Sequence, residues 1–327
     1  MKGNMMNWDL TIPQAISHAE KYNFDGRLIS REVDGSITST TYGASIQRSK
    51  KLANALTKLG VKLHDRVGTI AWNNSRHFET YFAVSGMGAV LHTMNPRYSA
   101  EQLVYILNHA EDKVLILDPT FIPLIESIQD QLQFVEVMII ACNQESMPLN
   151  TLKNTLAFDD LIQDESNTFN WPLLDENTAA SLCYTSGTTG NPKGVLYSHK
   201  STILHAITIA GSLGFDSSSS VLPVVPMFHV NAWGVPYAAL INGFSLTLPG
   251  QALDGESLFE LIEQESVDSL LGVPTVWLGL LKYLEEKGKR LDSVNQVLVG
   301  GSAASYAMIR AFDEQHGAFL THGWGMT

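Results

Sequence analysis

The chain has 327 residues and a formal net charge of −12, with 21 Lys and Arg against 33 Asp and Glu. Nucleic acids and anionic lipids are bound by clustered Lys and Arg, so this acidic balance argues against both as partners. A chain of this length should bury about three quarters of the surface that its unfolded state exposes, which predicts more than one small domain.

No segment is predicted to direct the chain into or across a membrane. Residues 1–10 lack a charged segment followed by an apolar one, which a secretory signal requires. The most apolar stretch, residues 221–248, is interrupted by three prolines and a histidine, so it is a poor membrane span. Cys142 and Cys183 lie in apolar runs and predict buried thiols in a reducing compartment. We therefore expect a cytoplasmic α/β protein.

Strands and helices alternate along the first half of the chain. The first helix has Pro13 near its first turn, and Asp34-Gly35 predicts a two-residue hairpin turn. Ser99 and Gln102 fit a capping box. The predicted elements are a helix over 11–22, strands over 28–33 and 36–40, a helix ending at Leu59, a strand over 66–72, a helix over 77–84, a strand over 90–93, a helix over 99–110, a strand over 114–117, a helix over 122–131 and a strand over 135–140.

Residues 143–177 are polar and irregular, and we interpret them as a connection to a second unit in which the alternation resumes. This alternation predicts an α/β fold with two doubly wound, largely parallel sheet layers and helices. We place a first subdomain at residues 1–170 and a second at 171–327. The predicted elements of the second are strands over 179–183 and 195–197, a helix over 201–211, a solvated turn over 217–220, a strand over 244–248, a helix over 258–264, a strand over 269–272, a helix beginning at Pro274, a strand over 296–299 and a helix over 306–315.

A glycine-rich loop over residues 184–195 separates two predicted strands and reads Tyr-Thr-Ser-Gly-Thr-Thr-Gly-Asn-Pro-Lys-Gly-Val. Glycine adopts positive φ freely, and successive inward N–H groups form a concavity that suits an anion. The Thr and Ser hydroxyls and Lys193 add donors and a positive charge, which is the chemistry that a polyphosphate needs. The loop is not a Walker A sequence, because Lys193 follows a proline and precedes Gly194. From composition alone, a polar surface loop is the alternative.

Three later segments should meet this loop, because ligands of open α/β sheets bind outside the carboxyl ends of the strands. They are residues 226–233 (Pro-Met-Phe-His-Val-Asn-Ala-Trp), 300–304 (Gly-Gly-Ser-Ala-Ala) and 321–327 (Thr-His-Gly-Trp-Gly-Met-Thr). Taken singly, His229 and Trp233 are more often core residues, and a Gly-Gly pair is an ordinary turn between a strand and a helix. Their order behind the loop favours a shared site.

In order and separation, the loop and these segments resemble the motifs of the adenylate-forming superfamily, which includes acyl-CoA synthetases, luciferases and the adenylation domains of peptide synthetases. The resemblance covers essentially the whole chain and is closest to bacterial medium- and long-chain fatty-acyl-CoA synthetases. It implies that a fatty acid attacks the α-phosphorus of MgATP to give an acyl adenylate and pyrophosphate. The thiol of coenzyme A then displaces AMP. ATP and Mg²⁺ are the implied cofactors, coenzyme A is the co-substrate, and a homodimer is an expectation from related enzymes.

The resemblance also implies a role for individual residues. The phosphates would be held by Thr185, Ser186, Gly187, Thr188, Thr189, Gly190 and Lys193, with Thr185 as a Mg²⁺ ligand. Gly301, Ser302 and Ala303 would lie along the adenine, Gly323 and Trp324 would form a wall, and Thr327 would touch the α-phosphate. The acyl channel would be lined by His229, Val230, Trp233, Gly301 and Gly323, with Trp233 as its gate. The implied catalytic residues are Thr185, Lys193, His229 and Thr327.

The family pattern continues beyond the position of Thr327, with a glutamate that binds Mg²⁺, an aspartate for the ribose, a hinge and a lid domain that carries a lysine. We therefore expect this polypeptide alone to form thioesters weakly or not at all. The alternatives are a nucleotide- or acyl-binding module without turnover, an aryl-CoA ligase and a luciferase-like enzyme. Residues 228–233 contain no acid. An amino-acid substrate would leave its buried ammonium unpaired there, so we expect an uncharged tail.

Overall fold

Two seven-stranded sheets form the frame of the computed structural model, which describes residues 3, 5, 7–185 and 191–327. Sheet A contains, from edge to edge, β14 (Phe319–His322), β13 (Gln296–Val299), β12 (Ser269–Gly272), β10 (Ser220–Pro223), β11 (Ser245–Leu248), β1 (Arg27–Arg31) and β2 (Ile37–Thr41). Sheet B contains β7 (Thr155–Ala157), β6 (Val137–Ile140), β5 (Asp112–Leu117), β3 (Arg66–Ile70), β4 (Val90–Thr93), β8 (Ala179–Thr185) and β9 (Lys193–Ser198). Neighbouring strands run parallel except in the antiparallel pairs β1–β2 and β8–β9, which confirms the predicted fold class.

Helices cover both faces of both sheets. One hydrophobic cluster joins the two sheets through central helices, and separate clusters pack helices on the outer face of each sheet. The molecule is therefore built in alternating layers of helix, sheet, helix, sheet and helix. The helices are α1 (Ile12–Tyr22), α2 (Tyr42–Lys58), α3 (Ser75–Gly86), α4 (Ala100–Ala110), α5 (Ile122–Glu126), α6 (Phe158–Gln163), α7 (His199–Leu213), α8 (Val235–Asn242), α9 (Gly255–Glu265), α10 (Pro274–Lys287) and α11 (Tyr306–Arg310).

Local chemistry explains where several elements begin and end. The capping box before α4 is confirmed: Gln102 N donates to Ser99 Oγ over 3.2 Å, and Ser99 N donates to Gln102 Oε1 over 3.1 Å. The predicted hairpin between β1 and β2 is also confirmed, with Gly35 at φ 86° and Asp34 Oδ1 accepting from Ser36 N over 2.9 Å. Its turn is longer than the predicted two residues, because residues 32–36 separate the strands. These turn and cap signals are local, so the sequence predicts them well.

Other predicted boundaries are wrong. The supposed connection over residues 143–177 contains β7 and α6, and the supposed turn over 217–220 ends in β10. The predicted helix over 122–131 ends at Glu126, because Ile128 N donates to Ile125 O in a tighter 3₁₀-type contact. The helix predicted over 306–315 is α11 followed by a π-helical turn over Ala311–His316.

The chain crosses between the sheets at two places. The early hairpin β1–β2 lies in sheet A, where Leu28 pairs with Leu246 of β11, and the later pair β8–β9 lies in sheet B. The strands are therefore not divided between the sheets at residue 170. As a boundary between subdomains, that position stays a prediction.

The interior bears out the expectation of buried thiols. Cys142 and Cys183 are both buried and free. Strands of both sheets are buried on both faces; in β3, for example, Val67 packs in the central cluster and Ile70 in the outer one. Across the described ranges, none of the helices has the length and apolar character needed to cross a bilayer.

Candidate active site

The carboxyl ends of β10, β13 and β14 lie at one edge of sheet A, since these strands run parallel. The segments that follow them line an open cavity of about 540 Å³. The three segments singled out in the sequence therefore meet at one place. From them the cavity receives His229, Val230, Asn231, Trp233, Gly300, Gly301, Gly323, Trp324 and Thr327.

A left-handed turn over residues 230–234 forms one wall of this cavity. Val230, Asn231, Ala232 and Trp233 have φ between 49° and 56°, and Gly234 follows at φ 74°. Left-handed backbone costs roughly 1–2 kcal/mol for each residue that carries a Cβ, and a β-branched residue such as valine is an outlier there. Such strain persists only where the surroundings over-determine the conformation, and it concentrates at ligand sites.

The buried side chain of Asn231 holds this turn against sheet B. Its Nδ2 donates to Ser181 Oγ over 2.8 Å. Its Oδ1 accepts from Thr93 Oγ1 over 3.4 Å and lies 3.5 Å from Cys183 Sγ. Tyr81 Oη lies 3.4 Å from the same oxygen and donates its proton to Met227 O. Asn231 is only 6% exposed, so both ends of its amide need these partners.

The turn places the Trp233 ring over the end of β13. Trp233 is partly buried against the central hydrophobic cluster. A Cβ added to Gly300 would lie 2.7 Å from Trp233 Cη2, so the ring rests directly on the backbone of Gly300. A Cβ added to Gly234 would lie 2.6 Å from His205 Nδ1. Glycine at both positions allows this close packing.

Helix α7 forms the opposite wall, which the sequence analysis missed. A polar stripe on α7 lines the cavity and is made of Ser201, His205, Thr208 and Ser212. The spacings of four, three and four residues place these side chains on one face of the helix. The sequence shows this spacing of polar residues, which could have indicated a binding face. It does not show that a cavity lies beside the helix.

The cavity is electrically neutral. Among the described residues that line it there is no Asp, Glu, Lys or Arg. Both His205 and His229 are exposed at the open side of the cavity, and partial desolvation lowers the pKa of each from the ordinary 6.5, which favours uncharged imidazoles near pH 7. Apolar groups and neutral donors therefore contact whatever fills the space.

The predicted phosphate-binding residues are only partly described. Thr185 ends β8 and lies directly opposite Lys193, the first residue of β9 and an exposed one. Tyr98 Oη fixes the strand just before this point by donating to Tyr184 O over 2.9 Å. Neither Thr185 nor Lys193 contributes to the cavity lining. Five predicted phosphate contacts lie outside the described residues: Ser186, Gly187, Thr188, Thr189 and Gly190.

The predicted adenine contacts separate into two groups. Gly301, at φ 78°, lines the cavity, whereas Ser302 and Ala303 are exposed and do not. Ser302 is nevertheless tied to β14, because its carbonyl oxygen lies 3.2 Å from His322 Nε2. On the other side, Trp324 lines the cavity while remaining 87% exposed.

The family of AMP-binding enzymes matches residues 18–327. The chain belongs to this family. Among its relatives, it is 48% identical to the medium-chain-fatty-acid–CoA ligase of Ectopseudomonas oleovorans, covering 100% of this chain and 60% of the relative. It is 46% identical to a 3-methylmercaptopropionyl-CoA ligase of Ruegeria lacuscaerulensis, covering 100% and 61%. It is 43% identical to the long-chain-fatty-acid–CoA ligase of Thermus thermophilus, covering 99% and 58%. The chain thus spans about three fifths of these relatives.

Solved structures share the fold of this AMP-binding enzyme. The anthranilate CoA ligase AuaEII in complex with anthranoyl-AMP matches with a TM-score of 0.88 at 23% identity, covering 100% of this chain and 62% of that one. The N-terminal domain of FACL13 from Mycobacterium tuberculosis matches with a TM-score of 0.84 at 21% identity, covering 97% and 76%. At these identities the likeness shows the fold alone.

The described residues of this chain do not by themselves make a magnesium site. Thr185 offers one hydroxyl, and the described part of the chain contains no group of three or more His, Cys, Asp or Glu side chains placed to hold a metal. Magnesium in nucleotide sites is bound through few protein groups together with substrate phosphates. The role of Thr185 as a metal ligand stays a prediction, and no step below is derived through the metal.

Proposed function

We propose that this AMP-binding enzyme adenylates a medium- or long-chain fatty acid, as the first half of an acyl-CoA synthetase reaction. The observation that supports this proposal is the uncharged cavity at the carboxyl edge of sheet A, walled by Trp233 and by α7. Two relatives at 43–48% identity are named medium- and long-chain fatty-acid ligases. Because the chain spans about three fifths of their length, the activity of the whole protein is part of the proposal.

In the proposed reaction, an oxygen of the carboxylate attacks the α-phosphorus of ATP and pyrophosphate leaves. The sulfur of coenzyme A, having lost its proton to solvent, then attacks the acyl carbonyl carbon. A C–S bond forms, and AMP leaves with the electron pair of the C–O bond. The first step needs positioning and neutralisation of charge more than a protein nucleophile. In this assignment, the glycine-rich loop and Lys193 bind the phosphates, and Thr327 contacts the α-phosphate. The adenine lies against Gly301 and Trp324. The acyl tail occupies the cavity beside His229.

The chemistry of the cavity favours an alkyl tail over a charged one. Each buried methylene contributes about 0.8 kcal/mol, whereas an ammonium without a counter-charge would be very unfavourable. The volume of about 540 Å³ lies within the range of about 300–1,000 Å³ that small-molecule sites occupy. The neutral His229 and His205 avoid adding a charge that would itself require solvation.

A panel of acids tests the substrate. Acetate, butyrate, octanoate, decanoate and palmitate, with several benzoates and amino acids, are assayed for AMP formation with the full-length protein. Affinity should rise with chain length until the cavity is full. Preference for an amino acid, or no dependence on length, would contradict the proposal. Preference for benzoates would support the aryl-CoA ligase, oxygen-dependent product formation the luciferase-like enzyme, and binding without turnover the module.

The loop is tested by Thr188→Val, which removes a hydroxyl and nearly keeps the volume. A hydrogen bond to a charged group contributes about 1.5–3 kcal/mol, so affinity for ATP measured by calorimetry should fall about tenfold or more. An unchanged affinity would mean that the loop has only a structural role.

The channel gate is tested by Trp233→Ala, which should broaden the tolerated chain lengths. If this change only lowers stability, the gate assignment is wrong while the fatty-acid assignment stands.

We further propose that the enzyme acts in the cytoplasm, which the two free, buried thiols favour. A homodimer stays a prediction from the resemblance, and size-exclusion chromatography with light scattering tests it.

A further inference from the structure

We infer that Asn231 is a positioning residue of the cavity: it anchors the left-handed turn to sheet B and thereby keeps Trp233 on Gly300. The amide is buried and bonded at both ends, yet every one of its side-chain partners lies on another element. The turn that it anchors carries His229 and Val230 on one side and Trp233 on the other. No role was predicted for Asn231 itself.

The partners of Asn231 form a platform on one face of sheet B. Ser181 and Cys183 lie two residues apart on β8 and so point to the same face, and Thr93 of β4 pairs directly with Cys183. Thr93 Oγ1 lies 3.3 Å from Cys183 Sγ, which links the members of the platform. Burial raises the pKa of the Cys183 thiol to about 11, so its sulfur stays protonated and uncharged beside the amide of Asn231. The platform therefore holds the side chain and the start of the turn together.

Asparagine suits this position for two reasons. It enters left-handed backbone more readily than most residues with a Cβ. It also offers a donor to Ser181 and an acceptor to Thr93; leucine, of similar size, offers neither, and aspartate lacks the donor.

The anchor links the tail end of the site to the strand that ends at the phosphate loop. Every second residue of β8 points to the same face, so the side chains of Ser181, Cys183 and Thr185 share one face of the strand. The strand that holds Asn231 thus also sets the position of Thr185. If the anchor is removed, the strained residues relax, the Trp233 ring leaves Gly300, and the wall of the cavity loses its shape.

The test compares Asn231→Leu with Ile125→Ala in the full chain. Ile125 is buried in the outer cluster of sheet B and does not line the cavity, so its truncation lowers stability without touching the turn. Amide hydrogen exchange of residues 230–234, measured without ligand, should accelerate at least about tenfold in Asn231→Leu relative to Ile125→Ala. Calorimetry should show affinity for decanoate falling about tenfold, with affinity for ATP changing less than about threefold.

A milder variant guards against a simple failure to fold. Ser181→Ala removes the acceptor of Asn231 Nδ2 and leaves the rest of the platform, so it should shift exchange and decanoate affinity in the same direction by a smaller factor. Unchanged exchange in both variants would overturn the inference, as would equal losses for decanoate and ATP. The inference rests on the proposed function for the decanoate measurement alone. If the unaltered chain does not bind decanoate, the proposed function fails, and exchange still decides the role of Asn231.

Discussion

Asn73 and Asn231 are both buried asparagines that join sheet B to the segment following β10, but they use their amides differently. Asn73 is 3% exposed and bonds to backbone: Nδ2 donates to Pro223 O and Val225 O over 3.0 and 2.9 Å, and Oδ1 accepts from Met227 N over 2.6 Å. Asn231 has side-chain partners and lies in left-handed backbone.

The difference separates stability from function. The bonds of Asn73 join the segment after β3 in sheet B to the segment at the end of β10 in sheet A, and its own carbonyl accepts from Gly250 N over 2.9 Å. No strain is held there, so Asn73 serves as a structural joint. The bonds of Asn231 hold a conformation that the backbone would otherwise leave, and that conformation shapes a cavity.

The largest expected effect is on the joint. Asn73→Leu leaves two carbonyls and one N–H buried without partners, and each such group costs about 1–3 kcal/mol. The free energy of unfolding measured in urea should therefore fall by about 3 kcal/mol or more. The exposed Asn167 provides the control, since Asn167→Leu should change stability by less than about 0.5 kcal/mol. Equal losses of stability from Asn73→Leu and Asn167→Leu would show that Asn73 is not a structural joint.

A second prediction concerns the acid beside the joint. Asp118 accepts from Trp72 N over 2.7 Å and from Asn74 Nδ2, and burial raises its pKa from 3.8 to about 7, against the opposing effect of these bonds. Because the folded pKa lies above the unfolded one, its contribution to stability is full below about pH 4 and is lost as pH rises toward 7.

Asp118→Asn should remove that loss. The free energy of unfolding of the variant minus that of the unaltered chain should rise by about 1–3 kcal/mol between pH 4 and 7.5, measured in urea. Taking the difference cancels other groups that titrate in this range, such as the buried His77 and Glu79. A difference that stays flat with pH would show that Asp118 is ionised throughout.

The smallest expected effect on stability belongs to the cavity. Gly300→Ala places a Cβ 2.7 Å from Trp233 Cη2, so the ring must move, at a cost of about 1 kcal/mol. Decanoate affinity should nevertheless fall about threefold to tenfold in calorimetry. Gly279→Ala is the matched control, because an added Cβ there meets nothing within 4 Å. If both glycine variants bind decanoate equally, the contact of Trp233 with Gly300 has no part in ligand binding.

Local signals account for the parts of the fold that could be predicted. The capping box at Ser99, the turn at Gly35 and the buried strands around Val67 and Ile139 depend on neighbouring residues or on simple apolar runs. Local signals could not predict that β1 and β2 join sheet A and that β8 and β9 join sheet B, because this depends on partner strands far along the chain.

The site divides along the same line. Motif order indicated that His229, Trp233, Gly301 and Gly323 would share a site, and they line one cavity. The left-handed turn was not predictable, since valine, alanine and tryptophan all disfavour that backbone and only tertiary partners stabilise it. Asn231 was accordingly overlooked, although it lies within the quoted motif.

The pairing of β1 with β11 also delays the completion of sheet A during synthesis. Leu28 can pair with its partner Leu246 only after a further 218 residues have been synthesised. At about 5–20 residues per second, the hairpin β1–β2 waits roughly 10–45 s before sheet A can accept it. During that interval the edge of β1 that pairs with β11 has no partner strand, so we expect the nascent chain to be most prone to aggregation before Leu246 is made.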